Sequence, residues 1–224
     1  MRIFTCPRED AGADALALGR RVHGREGYGH RECGGATHCS RVLSPLTEVH
    51  MTVDLAYFVL RLVIGGVVMQ HGLLKLGLVG KGGSVPGVAG WFDSIGLRPG
   101  LFWAIVAVAA EAGGGILTVL GLGGPLGPGI MAGDLVVVTY VAHWSQGFWV
   151  GGGKAGWEFP LPLAAASFSL ALLGFGTWSL DSLLNIAYGQ NLRWAWLGIV
   201  AIGTIAALAS KTMNAPKPKA PSAA

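Results

Sequence analysis

The stretch LRLVIGGVVMQHGLLKL, residues 60–76, decides what kind of protein this is. It lies within a longer apolar segment, residues 55–78, interrupted only by Arg61, Gln70, His71 and Lys75. A bilayer core is crossed by about 20 apolar residues in a helix that rises about 1.5 Å per residue. The segment has that length, and only a helix satisfies its backbone inside lipid. An ionisable side chain within such a span costs roughly 2.5–3.5 kcal/mol on insertion scales. Arg61, His71 and Lys75 therefore each need a partner or a task.

Four further segments repeat the pattern at 101–122, 129–143, 159–175 and 194–209. The first of these is broken only by Glu111, and the second is short and contains Asp134. The breaks between segments are well marked. LRPG (97–100) closes a long first loop, and GLGGPLGPG (121–129) is a turn with two prolines. WSQGFWVGGGKAGWEF (144–159) is a Gly/Trp loop whose aromatics suit the headgroup region. Gly65, Gly66, Gly114, Gly115 and the pairs Ala109/Gly113 and Ala165/Ser169 predict close helix approach. The expected fold class is all-α and polytopic. A four-helix membrane bundle occupies residues 51–184, an added transmembrane helix 185–210, and a disordered basic tail 211–224.

Composition agrees. The 224 residues are 52% hydrophobic and 12% charged, against about 25% charged in a typical soluble domain. Mean hydropathy is +0.54 and the pI about 9.2. The net charge of +4 rests on too few basic residues to track a phosphate backbone, so no nucleic-acid partner is expected. Residues 1–50 differ sharply: they hold all three cysteines, four of six histidines, seven arginines and six acidic residues. They lack the apolar core of a signal peptide. They are expected to be a disordered leader, with Met51 as an alternative start of translation. His30, Cys33, His38 and Cys39 are metal-binding residue types, but five residues separate the cysteines and no C-x-x-C pair occurs. No metal site is expected from that spacing.

Alternating the helices up and down gives each polar residue a depth. Arg61, Glu111 and Asp134 form a lower set, read as an intramembrane ion pair that fixes helix register. His71, Lys75, His143 and Glu158 form an upper set, with Gln70, Gln146, Trp144 and Trp157 nearby in sequence. Its plainer reading is an interfacial belt of snorkelling lysine and anchoring tryptophan. Its chemical reading is a quinone site: His and Lys donate to the carbonyls, Glu relays a proton, and aromatics form the wall. His71 and His143, on different helices, could also ligate haem. Their place at helix ends ranks haem below quinone.

Four pieces resemble the DoxX family in order: LRLVIGGVVMQHGLLKL (60–76), WFDSIGL (91–97), EAGGGILTVLGL (111–122) and residues 143–184 with their GG-x-E-x-P-like entry and SLD close. The resemblance implies a four-helix bundle in a bacterial or archaeal cell membrane, in contact with the lipid bilayer. It also implies association with quinol oxidation and thiosulfate:quinone oxidoreduction. The residues that follow the family pattern are Arg61, His71, Lys75, Glu111, Glu158 and Asp181, and no established catalytic role comes with them. The segment 194–209 and the leader lie beyond the resemblance. The functional expectation is a quinone-linked redox accessory subunit. The alternative is a non-catalytic scaffold that recruits soluble redox or stress proteins. The absence of cysteine after Met51 favours that alternative, because the membrane part cannot itself run thiol–disulfide chemistry. Whether the chain is an enzyme is left open by its sequence.

Overall fold

The computed structural model describes residues 36–214, with side chains from residue 48 onward. The chain divides into two units, Met1–Arg41 and Val42–Ala224, and the helical bundle is built by the second. The cysteine–histidine set at 30–39 lies outside the described side chains, and the tail from 215 lies outside the described residues.

Among the described residues seven helices follow in order: α1 (Ala36–Lys75), α2 (Val85–Ser94), α3 (Gly100–Leu120), α4 (Leu126–Gln146), α5 (Pro160–Leu173), α6 (Leu180–Leu183) and α7 (Gln190–Met213). Helix α1 crosses Met51 without a break, so the expected border between leader and bundle is not a helix boundary. Among the described residues, four helices are long and apolar enough to cross a membrane: Glu48–Lys75 of α1, α3, α4 and α7. The protein is an all-α, polytopic membrane protein. The expected fourth span is shorter than predicted, because α5 has only 14 residues. Pro160 opens it, and Gly174 at φ +90° stops it.

Helix α2 stands where the sequence suggested a loop. The Ser84 hydroxyl accepts the Gly87 N–H at 3.2 Å, and Pro86 occupies the first turn, where a missing N–H costs nothing. Ala89 and Phe92 are its buried face. The Asp93 carboxylate accepts the Gly100 N–H at 2.8 Å and so ties α2 to the start of α3.

Within lipid, helices are not driven together by water, so packing and polar contacts must hold them. The α1–α3 contact is made by glycine. A Cβ on Gly72 would collide with the Ala112 backbone, and one on Gly115 would lie 2.7 Å from Met69 Cβ and 2.8 Å from the Gly65 carbonyl. This antiparallel register sets residue 72 beside 112, 69 beside 115 and 65 beside 119. The predicted small pairs do not make the contact. A Cβ on Gly113 would meet nothing, and Ala165 and Ser169 are exposed. Small residues mark a close approach, but their spacing alone does not say which face they occupy.

Two cores result. Ile64, Val68, Met131, Leu135, Ala164 and Leu170 join α1, α4 and α5. Ala89, Phe92, Leu97, Ala104, Ala107 and Ala207 join α2, α3 and α7. The outward faces remain apolar, with Val63, Ile105 and Ile202 all exposed. That surface is suited to lipid contact. At the α3–α4 turn, buried Asp181 accepts the Gly123 and Gly124 N–H groups at 3.0 and 2.7 Å and the Tyr188 hydroxyl at 3.2 Å. Burial, then the Asp181 carboxylate, raises the Tyr188 pKa above the ordinary tyrosine value, so the phenol stays a donor.

Gly115→Leu forces a side chain into the Met69 backbone, whereas Gly113→Leu enters open space. Overpacking costs about 1–3 kcal/mol, so thermal unfolding in detergent should show a clear loss for Gly115→Leu and little for Gly113→Leu.

Candidate functional site

A cavity of about 580 Å³ opens among α1, α2, α3, α4, α5 and α7, within the size range of small-molecule sites. Five titratable side chains line it: His71, Lys75, Glu111, Asp134 and His143. The apolar wall includes Trp91, Phe92, Trp103 and Trp196. Three residues of the expected upper set thus meet two of the expected lower set in one place.

The local backbone explains how they are aimed. Helix α3 carries a π-helical turn at Ala109–Gly113, with Glu111 at its centre. Helix α4 carries another at Thr139–His143 and ends it on His143. Each π turn shifts the faces of the residues around it, a device frequent at functional sites. Glu111 and Lys75 form an ion pair, with 4% and 21% of their side chains exposed. His71 stands one helical turn before Lys75 and is exposed. The Nδ1 of His143 lies 2.6 Å from the Ala155 carbonyl, leaving Nε2 free of that contact. Asp134 has a buried Oδ2 with no hydrogen-bond partner.

The charges do not balance. One lysine faces two carboxylates, and the lysine is already paired with Glu111. A buried carboxylate oxygen with no partner is costly, so Asp134 is the member of the set that the fold leaves unsatisfied. Among the described residues, no three His, Cys, Asp or Glu side chains are grouped to hold a metal ion.

Two predicted site residues lie elsewhere. Arg61, only 3% exposed, donates to the Trp178 carbonyl and lies 5.1 Å from the centre of the Phe58 ring. Its guanidinium packs against Gly121, and its Nε and Nη1 have no partner. It therefore does not join the expected ion pair with Glu111 and Asp134. The glycine register is the reason. Glu111 falls beside the end of α1 near Lys75, and Arg61 lies fourteen positions, ~21 Å, back along that helix.

Glu158 accepts the Val150 N–H at 2.7 Å and is absent from the cavity lining. It shapes the loop after α4, as does Gln146. The Gln146 side chain donates to the Ala142 carbonyl and accepts the Ala155 N–H, both at 2.8 Å. Trp144 and Trp157 stack at 5.6 Å in the same loop.

Sequence reasoning missed the aromatic wall from α2 and the start of α3, and the part played by α7. The capping signal at Ser84 and Pro86 was available to place α2. Nothing in residue order announces a π turn.

Residues 56–144 match the family model DoxX. No curated protein and no solved structure matches the chain.

Lys75→Met strands a buried carboxylate, for which a loss on the order of 3 kcal/mol is expected, towards the low end because Lys75 keeps some solvent contact. Lys75→Met combined with Glu111→Leu should restore most of it, as read by detergent thermal denaturation. Equal stability of the single and double variants would contradict the pairing.

Proposed function

From a chain whose residues 56–144 match the DoxX family model, and that spans a membrane several times, we propose a quinone-linked redox accessory of the DoxX type in a bacterial or archaeal cell membrane. The observation that carries this reading is the cavity where His71, Lys75, Glu111, Asp134 and His143 meet an aromatic wall.

The donor set fits such a ring in either oxidation state. The unpartnered Asp134 Oδ2 accepts from a ring hydroxyl. His71 and the protons of Lys75 not given to Glu111 donate to a ring carbonyl. Trp91, Trp103 and Trp196 supply flat apolar surface for the ring. When bound, the quinone supplies two-electron chemistry linked to two protons. The chain's own part is to orient the ring, keep bulk water from it and exchange protons at Asp134 and His71. Soluble redox proteins are the partners this role calls for. Haem ligation by His71 and His143 is the lesser proposal, because both histidines stand in the last turns of their helices. Soret absorbance of the purified protein separates the two.

His71→Ala and Asp134→Asn are each expected to weaken quinone binding at least tenfold, or about 1.4 kcal/mol, with the fold retained by circular dichroism. Glu158→Gln keeps an acceptor for Val150 and should leave the titration unchanged. Wild-type affinity in both His71→Ala and Asp134→Asn would reject the reading.

A further inference from the structure

Helix α7 lies wholly beyond the residues that match the family model, yet it lines the cavity along about half of its length. The lining residues are Trp196, Ile199, Val200, Gly203, Thr204 and Ala207. Their spacing of three and four marks a single helix face. They extend over eleven positions, ~16 Å along the helix axis. Trp196, Val200 and Thr204 pack in part against Gly129 and Gly133 of α4 and Ala207 is buried, whereas Ile199 and Gly203 stand exposed on the same face.

The charged side chains of the cavity come from α1, α3 and α4, and α7 adds none. The lining is therefore amphipathic, polar on one set of helices and apolar along the other.

The helix is held at its two ends. Near its start, Arg193 donates to the Leu172 carbonyl at 2.7 Å and Trp196 to the Leu126 carbonyl at 3.2 Å. Near its end, the Ser210 hydroxyl donates to the Arg98 carbonyl at 2.6 Å and Lys211 lies 3.5 Å from the Val141 carbonyl. Between them, α4 comes close through Gly133, where a Cβ would stand 2.5 Å from Val200 Cγ1 and 2.8 Å from Thr204 Oγ1. Gly203 is different. It lines the cavity, and a Cβ added there would meet nothing.

We propose that α7 is the tail-binding wall of the site: the ligand is an amphiphile whose polar ring meets His71, Lys75 and Asp134 and whose hydrocarbon tail lies along the stripe from Trp196 to Ala207. The proposal rests on the quinone reading and adds the tail as a recognised part of the ligand. The geometry at Gly203 makes that residue the place where tail length is read, because the absent side chain leaves room for hydrocarbon.

The test uses the full chain in lipid nanodiscs and two benzoquinones, one with a decyl tail and one with no tail. Tails also partition into the bilayer, so the comparison is made between variants. Gly203→Phe fills the stripe, whereas Gly198→Phe lies off the stripe where an added Cβ also meets nothing. Both replace a helical glycine, so neither is expected to unfold α7. Gly203→Phe should weaken decyl-quinone binding about tenfold while leaving the tail-less probe unchanged. Gly198→Phe should match wild type for both probes. Equal behaviour of the two variants, with the tail-less probe still bound, would overturn the tail wall and leave the head-group site standing. Failure of the wild type to bind either probe would overturn both.

Discussion

The close approach of α1 and α3 at Gly72 and Gly115 is the constraint from which the rest follows. Two helices that meet backbone to side chain cannot slide by a residue without a collision, so the register is set to within a residue. That register puts the end of α1 beside Ala112 and therefore Lys75 beside Glu111. It also carries Arg61 away to the α3–α4 turn, where it meets backbone carbonyl and aromatic ring instead of a carboxylate. Polar pairing in this bundle is a consequence of small-residue packing. The ion pair then adds a cost to any slip, because sliding would strand both charges in lipid.

The distribution of unsatisfied groups separates structure from function. Asp181 is buried but fully engaged by two backbone N–H groups and a phenol, and its work is to hold a turn. Glu158 and Gln146 are spent on the loop after α4. Glu111 has its lysine. Asp134 alone among the cavity carboxylates has a buried oxygen without a partner. Arg61 also keeps unpartnered nitrogens, but they face a packed turn, whereas the Asp134 oxygen lies at the wall of a cavity, where an incoming group has room to meet it.

Much of this fold is legible in residue order, and the failures have specific causes. Apolar run length identifies α1, α3, α4 and α7, and prolines and glycines place their ends. The polar residues that line the cavity all stand out in the sequence, because in lipid each is conspicuous. Their grouping does not. Counting depth from helix ends assumes straight helices that meet end to end, and this sets Arg61 with Glu111 and Asp134. The true register is decided by which glycines face inward, and the π turns at Glu111 and His143 then shift the faces again. Neither is a periodic signal. Helix α2 escapes a search for spans because ten residues are too few, although its cap is readable.

The matched domain and the physical unit do not coincide. The family match ends at residue 144, in the last turn of α4. Yet the core between α1 and α4 is completed by Ala164 and Leu170 of α5. The second core reaches Ala207 of α7. The matched segment supplies the charged side of the cavity, and the helices after it supply closure. Charged groups in a membrane need an enclosed, low-water setting before they can act on a ligand rather than on solvent. The charged lining of the cavity therefore belongs to the first helices, but its enclosure depends on the last.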